Sequence, residues 1–577
     1  MSGLSIDQLP QSDLPKLVSD KTLVLLSPLS YLHVFSRQWV AKRYLASIVE
    51  RPQRLNATAL GISAALTLAG AENNFVLDSS SKSVDLASAE HVKRVHGANW
   101  PTTLRTLCEA SAAKLDKLEL EVPETWNSGD IYLGPGTISA LEGVVGAIET
   151  GIDRVFDADP ESENRCFICI RPPGHHSHPC TPSGFCLLNN VHIGIQYAAA
   201  KHGLTHAVIL DFDLHHGDGS QDICWKLSGL EEQDEDFYSK PASETSTETN
   251  PNAEIPNPKI GYFSLHDVNS FPTEVGYATA EMIKDASIRL MAHNMCIWNI
   301  HLEPYSTPQE FDELYKSTYS DLFRQARRFL NNARIEAKKS NVPFKAAVFI
   351  SAGFDASEFE DKGMQRHGVH VPTSFYAQFT KDCVALAREQ CDGRVISLLE
   401  GGYSDSALCS GVMAHLLGLQ GCEWRDEYAT PSVIRQLEKG CKARWAPPKT
   451  VSAKNQSWVV QAIKLGRSLR PPQPEKFATP TSTPAKSSSV TPNTRRILRD
   501  RKSTPVYNYD TRRAAASPLA SKQTDDLKII SESEPDQLGI PQLEPTSESK
   551  SGIPKHKLVQ QPDGTWKLAD SLAELRL

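Results

Sequence analysis

No run in this 577-residue sequence is apolar for long enough to cross a bilayer. The best stretch, Leu23 to Phe35, is broken by Pro28 and falls short of the roughly 20 residues a spanning helix needs. The first residues, Met1-Ser2-Gly3-Leu4-Ser5-Ile6-Asp7, lack the basic and apolar regions of a secretory signal. Positive charge is not in excess either. Lys and Arg number 61 against 69 Asp and Glu, a net charge of -8, so no direct nucleic-acid partner is expected. The 12 cysteines are scattered without a disulfide framework, which suits a reducing compartment. Cys166 and Cys169 form a CxxC pair, but a spacing of three in a strand turns them to opposite faces. Buried core thiols are the expectation for them. Together these absences predict a soluble intracellular protein with no membrane partner, in the nucleus, the cytoplasm or both.

What is present is alternation. Apolar β-type runs recur at Leu23 to Leu26, Cys166 to Ile170, Ala207 to Leu210, Ile260 to Leu265, Ala346 to Ile350 and Val395 to Leu399. Helical patterns lie between them at Thr137 to Ile152, Asn190 to Lys201, Glu310 to Lys338 and Ser374 to Gln390. Strands alternating with helices predict an α/β fold, a single large open and mostly parallel sheet covered on both faces. The globular part is read as residues 21–445, after an extension over 1–20. An acidic, flexible insertion is expected at about 229–259, where a Glu/Asp run precedes a Ser/Thr/Glu/Pro-rich run that can bury little apolar surface.

Residues 446–577 read as a largely disordered tail rich in Pro, Ser, Thr and Lys. Ser/Thr-Pro pairs at Thr479, Thr483, Thr491, Thr504 and Ser517 are candidate kinase sites. Basic residues from Arg495 to Arg513 could serve nuclear import or docking. Leu558-Val559 and Trp566-Lys567-Leu568, on either side of Pro562-Asp563-Gly564, read as a turn-linked hairpin or a short docking motif.

The chemistry concentrates at strand ends, where open α/β sheets bind ligands. The run Ala207 to Leu210 leads into Asp211-Phe212-Asp213-Leu214-His215-His216-Gly217-Asp218-Gly219. On a strand, Asp211, Asp213 and His215 would share one face, and carboxylate with imidazole suits zinc and related divalent metals. A strand ending in a solvated polar loop would have the same composition. Three further strand ends argue against that. They lead into Arg171-Pro172-Pro173-Gly174-His175-His176, Ser351-Ala352-Gly353-Phe354-Asp355 and Glu400-Gly401-Gly402-Tyr403. Asp213, His215 and Asp355 would give a metal three ligands and leave a position open. His175-His176 offers a base, with Asp211 and Asp218 to orient it. Tyr403, on a Gly-Gly loop that lets it swing, could donate to an oxyanion. The set describes metal-assisted amide hydrolysis.

The motifs RPPGHH, SGFCLLNN (Ser183 to Asn190), DFDLHHGDG, SLHD (Ser264 to Asp267), SAGFDA and LEGGY occur in this order over roughly residues 20–445. In them the sequence resembles the zinc-dependent histone deacetylases, class II-like and close to a divergent fungal group. The resemblance implies the arginase/deacetylase fold. It implies zinc on Asp213, His215 and Asp355, with His176 as general base and acid and His175 as its charged partner. Asp211 and Asp218 would support the two histidines, and Tyr403 would polarise the acetyl carbonyl. Phe185 and Phe271 would sandwich the acetyl-lysine stem beside Gly184, and Asp130 would hold the substrate backbone at the rim. Asp211, Asp213, His215, Ser264 and Leu265 would hold a structural potassium ion. Acetylated histones or other acetyl-lysine proteins are the implied substrates, and assembly with copies of itself stays open. Four alternatives compete, the weakest a phosphotransferase or glycosyltransferase built on the Asp-x-Asp pair, which leaves His175-His176, Asp355 and Tyr403 unexplained. Arginase-like relatives use two manganese ions, but Gly353 stands where a second carboxylate would be wanted. Acetylpolyamines or other small acetylated amines would need the same chemical groups. A non-catalytic scaffold would be expected to have lost a ligand or the tyrosine, and none is missing.

Overall fold

In the computed structural model, residues 19–41, 45, 48–70, 74–159, 161–228, 256–292, 295–447, 457–470, 558–560 and 566–568 are described. The strands of the main sheet are β1 (Thr22–Leu26), β2 (Phe75–Ser79), β3 (Arg165–Cys169), β4 (His206–Asp211), β5 (Lys259–His266), β6 (Arg289–Ala292), β7 (Met295–His301), β8 (Ala346–Ala352) and β9 (Val395–Leu399). Nine strands run in the order β2-β1-β3-β9-β8-β4-β5-β7-β6. Neighbours pair in parallel except β6, which pairs antiparallel with β7 at one edge. The inner strands β3, β4, β8 and β9 are buried along their whole length, as parallel strands covered on both faces must be. Edge strand β2 is half-buried to exposed and ends in Asp78 and Ser79, which blunts an open edge.

The helices are α1 (Arg54–Ala69), α2 (Glu90–His96), α3 (Trp100–Asp116), α4 (Thr137–Val155), α5 (Asn190–His202), α6 (Asp218–Leu227), α7 (Ala280–Asp285), α8 (Pro308–Leu314), α9 (Asp321–Ser340), α10 (Thr373–Gln390), α11 (Asp405–Gln420), α12 (Pro431–Cys441) and α13 (Ser457–Ser468). Alternate strand residues Phe167, Val208, Leu210, Val348 and Ile350 share one core with α1 and α9 to α13. The intervening residues face α4 and α5, where Gly151 sits against Ile168 and Cys166, and Gly194 against Phe349. Both faces are therefore covered, as the alternation of strands and helices predicts. Cys166 and Cys169 are buried free thiols; burial pushes the Cys169 thiol up to about 12.

Two boundaries differ from those read in the sequence. The expected helix Glu310 to Lys338 is two. α8 opens on a capping box formed by Thr307 and Glu310, and a single wide turn at Tyr315–Tyr319 separates it from α9. The packed domain also does not end at residue 445. α13 buries Val459, Ala462, Ile463 and Gly466, a spacing that puts one apolar stripe against α1. Tail residues 471–557 and the core of the acidic insertion, 229–255, lie outside the described residues. So do the Ser/Thr-Pro pairs and the basic patch. β10 (Leu558–Gln560) and β11 (Trp566–Leu568) pair with each other as a two-stranded sheet, at the segments where a hairpin was expected. No described helix is long and apolar enough to cross a membrane.

Candidate metal centre and active site

The four chemistry-bearing loops leave neighbouring strands β3, β9, β8 and β4 at the same sheet end, because these strands pair in parallel and in that order. β4 stops at Asp211. Asp213 and His215 therefore sit in a loop, and strand alternation is not what aims them. Backbone and side-chain hydrogen bonds do that instead. Asp213 N donates to Asp211 Oδ1 at 3.1 Å, and His215 N donates to Asp213 Oδ1 at 3.0 Å. Leu214 N donates to Asp355 Oδ1 at 2.8 Å, and Gly401 N donates to Asp213 Oδ2 at 2.9 Å. Three loops are thus sewn around one point.

At that point His215 Nδ1 lies 3.1 Å from Asp213 Oδ1 and 3.1 Å from Asp355 Oδ2. Asp213, His215 and Asp355 are buried and converge closely enough to hold a metal ion, the one such group among the described residues. Gly401 and Gly353 are spaced for this site, since a Cβ on either would overlap the Asp213 carboxylate. That packing leaves no room at residue 353 for the second-metal carboxylate of an arginase-like site. Burial works against the Asp213 charge, but His175 and His215 outweigh it and hold its carboxyl well below the usual range.

The histidine pair is split into unlike roles. His175 Nδ1 donates to Asp211 Oδ2 at 3.2 Å. Burial opposes its charge, yet Asp213 and Asp211 raise its pKa well above the ordinary value. His176 Nδ1 lies 2.8 Å from Asp218 Oδ1. Burial and the His175 charge push His176 down to about 3, against the pull of Asp218. One imidazole is held charged and its neighbour neutral, the arrangement a general base needs. Glu400 sits beneath the pair and accepts from Gly174 N at 2.6 Å and His175 N at 3.2 Å.

Tyr403 is buried beside the metal group, its ring 5.5 Å from that of Phe185. Burial raises its phenol well above the ordinary value, so it is a neutral donor. Its loop is clamped rather than free to swing. Tyr403 N and Ser404 N donate to the two oxygens of buried Glu360 at 2.7 and 2.8 Å. Arg54 donates to Gly402 O at 2.6 Å and to Glu400 O, and its guanidinium lies 4.9 Å from the Tyr403 ring centre. Arg54 is in turn paired with Glu50, which also binds Arg171, and all three side chains are fully buried.

Phe271 packs edge-on to His176, with ring centres 4.9 Å apart. Gly184 has a positive φ of 50° and touches both His176 and Phe271, so a side chain there would fill the gap. Gly184, Phe185 and Phe271 thus gather around His176 and Tyr403 as walls. Asp130 is turned inward, 5% exposed, and accepts from Gly184 N at 3.2 Å. Burial raises its carboxyl to about 7, and its Oδ1 has no partner. Asp211 and Ser264 are register partners across β4 and β5, followed on β5 by Leu265.

Residues 48–419 match the histone deacetylase domain family. The chain belongs to the histone deacetylase family. It is 51% identical over 465 residues to histone deacetylase HOS3 of Saccharomyces cerevisiae, covering 78% of this chain and 65% of the yeast protein. It is 26% identical to histone deacetylase 6 of Caenorhabditis elegans, over 62% of this chain and 31% of that protein. The histone deacetylase-like amidohydrolase of Pseudomonas aeruginosa is 26% identical, over 56% of this chain and 66% of its own length. Among solved structures, the chain is similar to the HDA15 HD domain, with a TM-score of 0.46 and 20% identity over 78% of this chain and 99% of that one. The chain therefore spans just under two thirds of its yeast relative and under one third of the worm protein.

The candidate site is wider than its motifs. Glu360, Arg54 and Glu50 support it through the contacts above and were not singled out from sequence, while Glu400 was read only as part of the LEGGY motif. Glu360 lies in the run Glu358-Phe359-Glu360-Asp361, just past the SAGFDA motif, where the sequence assigned it no role. Arg54 and Glu50 lie in a polar stretch before α1 with no local pattern to announce that they are buried.

Proposed function

We propose that this chain hydrolyses the acetyl amide of acetyl-lysine in proteins, with histone tails as the leading substrate, using one zinc ion. The observation that carries this reading is the convergence of a buried Asp-His-Asp group, a neutral imidazole and a neutral phenol at one point. Two carboxylates and one imidazole suit zinc and leave a position open. Asp213, His215 and Asp355 would hold the ion, which when bound would polarise the acetyl carbonyl and acidify a water molecule. His176, oriented through Nδ1 by Asp218, takes the proton of the attacking water and returns it to the leaving amine. Charged His175 stabilises the negative charge that develops beside it. Tyr403 donates its phenol hydrogen to the oxyanion.

The walls fit an uncharged acyl-lysine stem. Acetylation removes the lysine charge, and Phe185, Phe271 and Gly184 offer apolar surface. Asp130 supports Gly184 from below and so sets the wall, with its second oxygen available to a substrate backbone if the rim opens. A structural potassium ion would sit among Asp211, Asp213, His215, Ser264 and Leu265, of which Asp211 and Ser264 are register partners on neighbouring strands. The net charge of -8 favours basic tails as partners. Nucleus and cytoplasm are the proposed locations, with kinases acting on the Ser/Thr-Pro pairs.

The test is a turnover comparison of acetylated histone peptides, other acetyl-lysine peptides and acetylpolyamines. Preference for lysine peptides is expected. Preference for acetylpolyamines would replace the substrate and keep the chemistry; no hydrolysis of any of them by zinc-loaded protein would leave a scaffold.

A further inference from the structure

We propose that His178 is a positioning residue for deacetylation: it fixes Asp218, and Asp218 fixes the base His176. The inference rests on the reading of His176 as that base.

His178 lies two residues beyond His176 in the same loop, and its side chain is 30% exposed. Its Nε2 is 3.2 Å from Asp218 Oδ2, and its Nδ1 is 2.9 Å from Asp222 Oδ2. The other oxygen of Asp218 is 2.8 Å from His176 Nδ1. Lys226 Nζ binds Asp222 Oδ2 from the far side at 3.2 Å. A line therefore runs from the buried base to the surface: His176, Asp218, His178, Asp222, Lys226.

The protonation of His178 follows from geometry. Ionised carboxylates only accept, so a ring with a carboxylate at each nitrogen must donate from both and be an imidazolium. Burial alone would lower its pKa, but Asp218 and Asp222 raise it to about 10. The cation is held in place because its two carboxylates sit four residues apart on α6, one turn up the same helix face. The loop carrying it is pinned as well, since His178 N donates to Thr181 O at 3.0 Å.

The consequence falls on Asp218. A carboxylate with one partner can rotate about its Cβ–Cγ bond and swap oxygens. With Oδ2 bound by a charged donor, Oδ1 is left facing His176 Nδ1. That bond sets the ring plane and tautomer of His176, and so the direction in which Nε2 points. A simple half-exposed surface ion pair would do nothing of the kind and would be worth little.

Steady-state kinetics of the full-length, zinc-loaded chain on an acetyl-lysine peptide separates these readings. His178→Ala is expected to lower kcat about tenfold, with KM and zinc content held. In an Asp218→Asn background the same change should add almost nothing, because the carboxylate it steers is gone. His178→Arg keeps a cation with two donors and should recover most of kcat. Asp222→Asn loosens only the outer end and should give a smaller fall, which also covers a poorly folding alanine variant. Wild-type kcat in His178→Ala, or losses that multiply in the double variant, would overturn the proposal. His176→Ala decides the underlying reading separately: if it is inactive while His178→Ala is normal, only the role of His178 fails.

Discussion

His215 Nδ1 and Asp355 Oδ2 lie 3.1 Å apart although 140 residues separate them in the chain. Asp213 Oδ1 stands at the same distance from the same nitrogen. In metal-free protein that nitrogen must carry a proton. Burial alone would lower its pKa, but Asp355 and Asp213 raise it to about 10. A metal ion needs the same nitrogen without its proton. Proton and zinc therefore compete for one atom. Apparent zinc affinity of stripped protein should rise about tenfold per pH unit between roughly pH 6 and 9, with one proton released per zinc. Titration calorimetry in buffers of different ionisation heat measures that release. A pH-independent affinity with no released proton would take His215 out of the ligand set.

Tyr403 should be needed for rate and dispensable for metal. Its phenol is neutral and buried beside the Asp-His-Asp group. Tyr403→Phe removes only the donor and keeps the ring against Phe185. A fall in kcat of about 10²–10³ is expected, with zinc content unchanged by metal analysis. Turnover near wild type would defeat the oxyanion role.

The part of the fold that sequence made legible is the central part. β3, β4, β8 and β9 read as mostly apolar runs because both their faces are buried. β2 and β6 are edges, partly polar and only partly buried, so their pattern is diluted by solvent. The motif residues could be read because reactive side chains sit at strand ends. Glu360, Arg54 and Glu50 could not, because a charge buried by distant partners looks the same in sequence as a charge in water. Trp458 to Gly466 was hidden in another way: a short amphipathic helix stands inside a polar tail, and composition averaged over the tail masks its period.

Glu360 gives a further check. It clamps the backbone of Tyr403 and Ser404, and burial raises its carboxyl to about 7. Its folded pKa lies above the unfolded carboxyl value, so the folded state binds the proton more tightly. Its contribution to stability is complete below about pH 4.5 and is lost as pH rises through about 7, on the order of 3 kcal/mol. Glu360→Gln removes this slope and also turns an NH2 group toward one of the two backbone donors. Denaturant melts from pH 5 to 8 should be flatter in the variant, and kcat should fall about tenfold. Parallel melts with unchanged kcat would show that the clamp is idle.

Glu50 should matter more for stability. It neutralises Arg171 and Arg54, and all three side chains are inaccessible to solvent. Burial raises its carboxyl, but Arg171 and Arg54 outweigh this and hold it at about 2. Its stabilisation is present above about pH 4.5 and lost as pH falls toward about 2. Glu50→Ala leaves two buried cations unpaired, at a cost of roughly 3–5 kcal/mol. Chemical denaturation at pH 7 reads this directly, and a change under about 1 kcal/mol, the range of an exposed pair, would mean that water reaches the site.

α13 connects the end of the domain to the candidate active site through α1. Val459 and Ile463 are buried, and each aliphatic side chain so placed contributes roughly 1.5–3 kcal/mol. Gly466 lies directly on Leu60 and Ser63 of α1. Arg467 and Arg470 cap the last carbonyls of α12, donating to Gly440 O at 2.9 and 3.0 Å. α1 begins with Arg54, which holds Gly402 and Glu400 beneath Tyr403. Removing α13 uncovers the apolar back of α1 and loosens the helix that anchors that loop. A chain ending after residue 470 should melt like the full protein, whereas one ending after 445 should lose several degrees in Tm and a larger share of kcat than its unfolded fraction explains. Equal melting temperatures for the two truncations would place the domain end at residue 445.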